Sequence, residues 1–141
     1  MSSAHGPRET FRCPVRVYYE DTDAAGVVYY ANYLKFMERA RTEWLASIGF
    51  ALADLEHRHG IVFVVHRVEI DFSLPARLGD ELDATVVLSE LRRARMVAAQ
   101  DVLRGGDVLT RATVVLACLA RTSWRPTGIP GPLYERLESL L

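Results

Sequence analysis

The chain has 141 residues, half of them apolar and a quarter charged, with a formal net charge of −1. This length is enough for one domain with its own core, and this composition is ordinary for a globular protein. The near-neutral charge gives no general attraction to nucleic acid or to anionic membranes. No apolar run approaches the roughly 20 residues of a membrane-spanning helix, and the N-terminus lacks the apolar core of a signal peptide. We therefore expect one cytoplasmic domain over residues 1–141, with a flexible lead-in at 1–10.

The first part of the chain predicts a strand, an acidic loop and a long helix. Residues 11–19 alternate between apolar and polar side chains, as a strand does. A loop with Glu20, Asp21 and Asp23 follows. From about residue 30 to 48, apolar side chains recur at helical spacing, as Tyr33, Met37, Ala40, Trp44 and Ile48. This spacing predicts an amphipathic helix with one buried face, and a shorter helix over 51–57 that ends near Gly60.

The second part predicts four strands, over 61–74, 81–91, 94–103 and 108–121, and a short helix over 133–141. In the first of these strands the alternation places His66 on the apolar face, where we interpret it as a core histidine. The same count places Val65, Val87 and Val97 on the other face, which favours a contact between subunits.

A single long helix with an apolar stripe has only the sheet to pack against. The sequence therefore predicts an α+β fold, in which a curved antiparallel sheet of five strands wraps around one long central helix. A short C-terminal helix completes it.

The acidic loop is the most informative feature for chemistry. It brings carboxylates to a helix N-terminus, where backbone N–H groups have no intrahelical partner. A carboxylate can attack a carbonyl or activate water, and free amides can hold an oxyanion. Plainer roles are also open: Asp23 as a turn residue, Asn32 as a helix cap, and Gly26 for backbone conformation or close approach. Glu20 and Asp21 are expected to orient the loop.

Other chemistries have little support. Cys13 and Cys118 stand far apart and no histidines cluster around them, whereas a zinc site needs three or four ligands in close range. We expect inert thiols, no metal and no bound cofactor. No nucleophile elbow, phosphate-binding loop or dinucleotide fingerprint is present.

Two segments resemble a known family. Residues 15–45 read VRVYYEDTDAAGVVYYANYLKFMERARTEWL, and residues 63–82 read FVVHRVEIDFSLPARLGDEL. They are similar to hotdog-fold thioesterases of the 4-hydroxybenzoyl-CoA thioesterase type, above all to members associated with the bacterial Tol–Pal system. The likeness continues to Leu119 and so covers most of the chain.

The resemblance implies hydrolysis of the thioester of a short- to medium-chain acyl-CoA. Carried over by position, the catalytic carboxylate is Asp23, as nucleophile or general base, and the oxyanion donor is the main-chain N–H of Tyr30 at the start of the central helix. Gly26 is implied beside the substrate. The three arginines of the Arg92–Arg95 segment, which are Arg92, Arg93 and Arg95, are implied to bind CoA phosphates at a subunit boundary. A homodimer or homotetramer follows from that boundary.

Several alternatives remain open at this point. Tol–Pal-associated members commonly have histidine at the position of Tyr30, whereas aryl-CoA members have tyrosine, so an aryl-CoA substrate stays a candidate. A hydratase of the same fold needs a histidine near the carboxylate, and the loop and long helix contain none. A non-catalytic module that binds acyl carrier protein or phospholipid-synthesis enzymes is the third alternative.

Overall fold

The computed structural model describes residues 9–141, so most of the lead-in expected at 1–10 lies outside the described residues. Within them lie five strands and three α-helices: β1 (Phe11–Arg16), α1 (Asn32–Ser47), α2 (Leu52–His59), β2 (Ile61–Phe72), β3 (Glu81–Arg92), β4 (Arg95–Arg104), β5 (Asp107–Ala120) and α3 (Gly131–Glu138). A short 3₁₀ helix, Tyr19–Asp21, lies in the acidic loop. The predicted elements are all present, with boundaries that differ by at most three residues at each end, since helix and strand ends are set by capping and bridging contacts.

The five strands form one antiparallel sheet in the order β1-β3-β4-β5-β2. This confirms the predicted architecture. At one end of the sheet Arg16 pairs with Glu81 and the acidic loop follows β1; we call this the acidic-loop end. At the other end Arg92 pairs with Arg95 across the turn between β3 and β4; we call this the arginine end.

The central helix α1 buries one face against the sheet, as predicted. Its buried side chains are Tyr33, Phe36, Met37, Ala40, Trp44 and Leu45. Removing a large apolar side chain such as Phe36 from water contributes about 1.5–3 kcal/mol. Arg39 and Glu43 lie on the opposite, exposed face. The helix runs from the acidic-loop end toward the arginine end, because its C-terminal residues Trp44 and Ile48 line a small cavity with Phe11.

A buried amide fixes the helix over the sheet. Gln100 of β4 is fully buried, at 0 % exposure. Its Nε2 donates to the carbonyl of Met37 in α1 at 3.0 Å and to that of Thr85 in β3 at 3.3 Å. Its Oε1 accepts from Arg41 of α1 at 2.9 Å. Burial lowers the pKa of the Arg41 guanidinium below its ordinary value. One side chain thus joins the helix to two strands.

The prediction of which β2 side chains face the core is wrong for half of the strand. The pairing of β2 with β5 shifts between Val65 and Arg67, so the strand contains a bulge at His66. A bulge inserts one residue and reverses the alternation beyond it. Phe63 before the bulge and Val68 after it therefore both pack against the core. His66 is exposed, not a core histidine.

The same bulge explains why the predicted face of Val65 is also wrong. It lines a cavity on the helix side with Phe63 and Leu116, so it does not share the outer face with Val87 and Val97. Val97 is directly opposite Val115 on β5, and both are partly exposed. The outer face is therefore partly apolar, as predicted, but without Val65.

None of the helices in residues 9–141 has the length and apolar composition needed to cross a bilayer.

Candidate active site

The acidic loop is held by the backbone of Asp21. This residue is 2 % exposed, and its Oδ2 accepts the N–H of Tyr18 at 2.8 Å. Its carbonyl accepts two bonds, from the Tyr29 N–H at 3.0 Å and from Asn32 Nδ2 at 2.8 Å. Asp21 therefore orients the loop, as predicted. The expected cap is wrong: Ala31 occupies the N-cap position without a side-chain bond, and Asn32 instead ties the helix start to the loop.

Asp23 lies at the exposed tip of the loop. Its Oδ1 accepts the Ala25 N–H at 2.9 Å, and its carbonyl accepts the Gly26 N–H at 3.0 Å. This is the local side-chain turn that aspartate favours. Oδ2 makes no hydrogen bond to any residue from 9 to 141, so one carboxylate oxygen is left for a ligand.

Gly26 closes this turn with φ +81°, a conformation that costs glycine little. No heavy atom lies within 4 Å of the position that a Cβ would occupy. The sequence left two roles open for Gly26, a backbone conformation and a close approach of another group. The positive φ requires the first, and the empty space around the Cβ position excludes the second among the described residues. The turn exposes Asp23 to solvent, and the short segment 27–31 connects it to the start of α1.

Two N–H groups immediately before α1 are free, and the first turn of the helix follows them. This turn is of the 3₁₀ type: the N–H groups of Asn32, Tyr33 and Leu34 each bond to the carbonyl three residues earlier, at 2.8, 3.4 and 3.2 Å. Within the described residues, the N–H groups of Tyr30 and Ala31 have no acceptor. Tyr30 thus precedes the helix by two residues and is not in its first turn, but it carries the unshared donor that the sequence analysis expected there. Tyr30 is 62 % exposed.

An apolar groove of about 270 Å³ adjoins these amides, lined by Val28, Tyr30, Tyr33, Phe72, Ser73, Leu74 and Pro75. The Tyr30 and Phe72 rings meet edge to face, with centroids 6.3 Å apart. Tyr33 packs against Phe72 at 5.6 Å, and its hydroxyl accepts the N–H of Ala76 at 3.0 Å. Asp23 is not among the lining residues, so the carboxylate stands outside the groove.

The wall formed by residues 72–75 was not predicted, because the sequence pattern of residues 61–74 indicates only a strand. The signal was the run of apolar side chains, Phe72 and Leu74, which continues to the proline and remains exposed. Val28 N–H bonds to Ala76 O at 2.8 Å and joins this wall to the acidic loop.

The three predicted phosphate-binding arginines meet at the arginine end. Arg92 is directly opposite Arg95, a pairing of like charges that destabilises a strand pair unless an anion compensates. Arg92 also pairs with Glu90 at 2.7 Å. Among the described residues, Arg93 and Arg95 pair with no carboxylate.

Within one chain, these arginines and the acidic loop lie far apart. Strand β3 begins beside the loop and ends at Arg92, and its 12 residues at roughly 3.3 Å each span about 35–40 Å of strand. The 16 residues of α1 place its two ends about 24 Å apart. The structure therefore collects the candidate residues into two groups, at opposite ends of the sheet.

Residues 9–141 contain no group of three His, Cys, Asp or Glu side chains that is placed to hold a metal ion. Cys118 lies beside the arginine end, where its N–H donates to Ala94 O at 2.9 Å, but its side chain is buried. Burial raises the pKa of Cys118 to about 11, and it also raises that of Cys13. Neither thiol has the lowered pKa of a nucleophilic cysteine.

Comparisons with known proteins identify the family of the chain. The model of the thioesterase superfamily matches residues 25–111. The acyl-CoA thioesterase YbgC of Haemophilus influenzae is 42 % identical over 120 residues, which cover 85 % of this chain and 88 % of that protein.

Two solved structures show the same fold. A probable thioesterase from Bartonella henselae is 36 % identical with a TM-score of 0.82, covering 86 % of this chain and all of that one. A 1,4-dihydroxy-2-naphthoyl-CoA thioesterase from Synechocystis is 26 % identical with a TM-score of 0.84, covering 94 % and 98 %. The expected hotdog fold and thioester hydrolase class are confirmed, and the chain belongs to the thioesterase superfamily.

Proposed function

We propose that this protein hydrolyses the thioester of acyl-CoA, with Asp23 and the Tyr30 N–H at the reacting carbon. The main support is that one short segment contains both an exposed carboxylate with a free oxygen, Asp23, and two unshared N–H groups just before α1. The similar YbgC protein is named as an acyl-CoA thioesterase. A CoA substrate also supports the cytoplasmic location that the sequence predicts.

In this mechanism the thioester carbonyl oxygen accepts the Tyr30 N–H. Asp23 then either attacks the carbonyl carbon or takes a proton from an attacking water. The tetrahedral oxyanion is held by the amide, and its collapse expels the CoA thiolate. If Asp23 attacks, a mixed anhydride forms and water hydrolyses it. Both routes use the partial positive charge of about half a unit at the helix N-terminus.

The groove is the candidate acyl site. Its volume of about 270 Å³ lies just below the range of about 300–1,000 Å³ that drug-sized ligands occupy. This supports a short- to medium-chain acyl group. An aryl-CoA is the second candidate, because Tyr30, Tyr33 and Phe72 offer ring edges and faces for aromatic packing.

The CoA phosphates require a second copy of the chain. Asp23 and the arginines of one copy lie at opposite ends of the sheet, so we propose that each site combines Asp23 of one subunit with Arg92, Arg93 and Arg95 of another. β2 is a 12-residue edge strand without proline, a form that readily pairs with another strand. Antiparallel pairing of two β2 strands would bring the acidic-loop end of one copy beside the arginine end of the other. A homodimer is the smallest such assembly, and a homotetramer can contain it.

The decisive experiment is a thiol-release assay over short, medium, long and aromatic acyl-CoAs. Asp23→Asn should lower kcat by a factor of about 10²–10⁴, since it removes nucleophile and base alike. Glu20→Gln is the matched control, because it removes a carboxylate from the same loop and should keep full activity. Near-normal turnover by Asp23→Asn would exclude the assignment. A wild-type protein that releases no thiol from any substrate would favour a module that binds acyl carrier protein or a phospholipid-synthesis enzyme, the alternative implied by the resemblance to Tol–Pal-associated members.

A mixing experiment tests the shared site. Asp23→Asn and the double variant Arg92→Ala, Arg93→Ala should each be weakly active. Co-expressed, they should form mixed assemblies in which some sites have all their residues, so activity should return. No recovery in isolated mixed assemblies would place the whole site within one chain.

Tyr30→His tests the acyl or aryl preference. It keeps the main-chain N–H and removes a ring from the groove wall, so the ratio of kcat/KM values should shift from aryl- toward acyl-CoA. An unchanged ratio would show that this ring does not determine the preference.

A further inference from the structure

The most unusual side chain outside the candidate active site is an exposed tryptophan. The chain has two: Trp44 is 5 % exposed in the core, whereas Trp124 is 61 % exposed in the turn after β5. Trp124 is also the one non-glycine residue among 9–141 with positive φ, at +59°. A bulky side chain rarely adopts this left-handed conformation, and an observed outlier of this kind justifies a functional hypothesis.

Backbone bonds on both sides hold this turn in place. The Trp124 N–H donates to Ala120 O at 2.8 Å, and the Ala120 N–H donates to Arg125 O at 2.9 Å. Pro126 then bridges to Leu119 of β5. The backbone that carries the exposed indole is therefore held at the arginine end of the sheet.

The segment after Trp124 leads directly to the arginines. The Ile129 N–H donates to Arg93 O at 2.8 Å, and the Arg93 guanidinium lies 3.5 Å from where a Cβ of Gly128 would be. The four residue steps from Trp124 to Gly128 span at most about 13 Å at roughly 3.3 Å each. Arg93, Arg95 and Arg125 pair with no carboxylate in the described part of the chain. An exposed aromatic side chain and unpaired guanidinium groups thus lie on neighbouring segments at the arginine end.

We propose that Trp124 is the stacking platform for the adenine of CoA, with Arg125 beside it as a further phosphate contact. Aromatic side chains bind bases through their faces, and the arginine fork suits phosphate oxygens. The 3′-phospho-ADP part of CoA contains both chemical groups within one nucleotide. This proposal rests on the proposed function, because it identifies where the nucleotide half of the same substrate binds.

The test separates the nucleotide from the thioester. Binding of 3′,5′-ADP is measured by calorimetry and by quenching of tryptophan fluorescence, which should report Trp124 because Trp44 is buried. Trp124→Gly should weaken binding about 5- to 150-fold, the range of one lost base stack. Trp124→Phe keeps a ring and should retain most of the affinity. Trp124→Gly also suits the left-handed backbone, so its Tm should not fall, which excludes misfolding as the cause.

Activity provides the second measurement. In Trp124→Gly, kcat/KM for acyl-CoA should fall by the same factor as nucleotide affinity. For the acyl-pantetheine thioester, which lacks the nucleotide, it should stay at the wild-type value. Equal losses of kcat/KM on both thioesters, or an unchanged affinity of Trp124→Gly for 3′,5′-ADP, would overturn the proposal. Trp124 would then be a contact for another protein. Weakened 3′,5′-ADP binding by Trp124→Gly, in a protein that hydrolyses no thioester, would count against the proposed function alone.

Discussion

The buried amide of Gln100 should be worth far more to stability than a typical polar side chain. Replacing it with Met keeps the approximate volume and removes three hydrogen bonds, to Met37, Thr85 and Arg41. The bond from charged Arg41 contributes about 1.5–3 kcal/mol and each neutral bond about 1 kcal/mol. Added apolar burial returns about 1 kcal/mol. We expect Gln100→Met to lose about 3 kcal/mol from a total of about 5–15 kcal/mol.

Urea unfolding measures this loss, provided that the transition is two-state and its slope is unchanged. A double-mutant cycle tests whether the lost bond to Arg41 contributes to this destabilisation. Gln100→Met leaves the Arg41 guanidinium half-buried without its acceptor, and Arg41→Met removes that unpaired charge. The double variant should therefore lose at least about 1 kcal/mol less than the sum of the single variants. A loss below about 1 kcal/mol for Gln100→Met, or additive effects, would refute the view that this network holds helix to sheet.

Three further predictions each concern one residue. Gly26→Ala should lower the free energy of unfolding by about 1–2 kcal/mol through backbone strain alone, since no atom would touch the added methyl; an unchanged value would contradict this. The bonds from the Arg77 N–H and then Arg104 hold the pKa of Asp80 below its ordinary value. Wild type should thus be more stable than Asp80→Asn above about pH 4, and lose that advantage as pH falls through the lower folded-state pKa. Urea unfolding across this range checks it, and an advantage that persists in acid would exclude this cause. Cys118 should react with a disulfide reagent at about pH 8 much more slowly than free cysteine, because its pKa is raised to about 11; equal rates would show that the thiol is accessible.

Much of the fold was predictable because its main signals are local. The helical spacing from Tyr33 to Trp44 and the alternation in β3 each identify a buried face without any knowledge of partners. The face of β2 was not predictable in the same way. The bulge at His66 changes the alternation, and no glycine marks it in the sequence.

The candidate site was predictable in part for the same reason. The turn at Asp23 and Gly26 is encoded by residues next to one another, and the structure has it where expected. The role of Asn32 depends on a bond to the carbonyl of a residue 11 positions earlier, and the Phe72 wall depends on strand packing. Such long-range contacts have no local signature, so the default of a helix cap was chosen for Asn32 and was wrong.

The separation of Asp23 from the arginines along β3 has a consequence for divergence within the superfamily. Every CoA ester carries the same nucleotide, whereas the acyl portion differs from one substrate to another. With the proposed acyl site and the proposed coenzyme site at opposite ends of β3, substitutions around the groove can change which acid is released without altering the arginines. New specificities can therefore arise from a few changes near α1, without rebuilding the rest of the molecule.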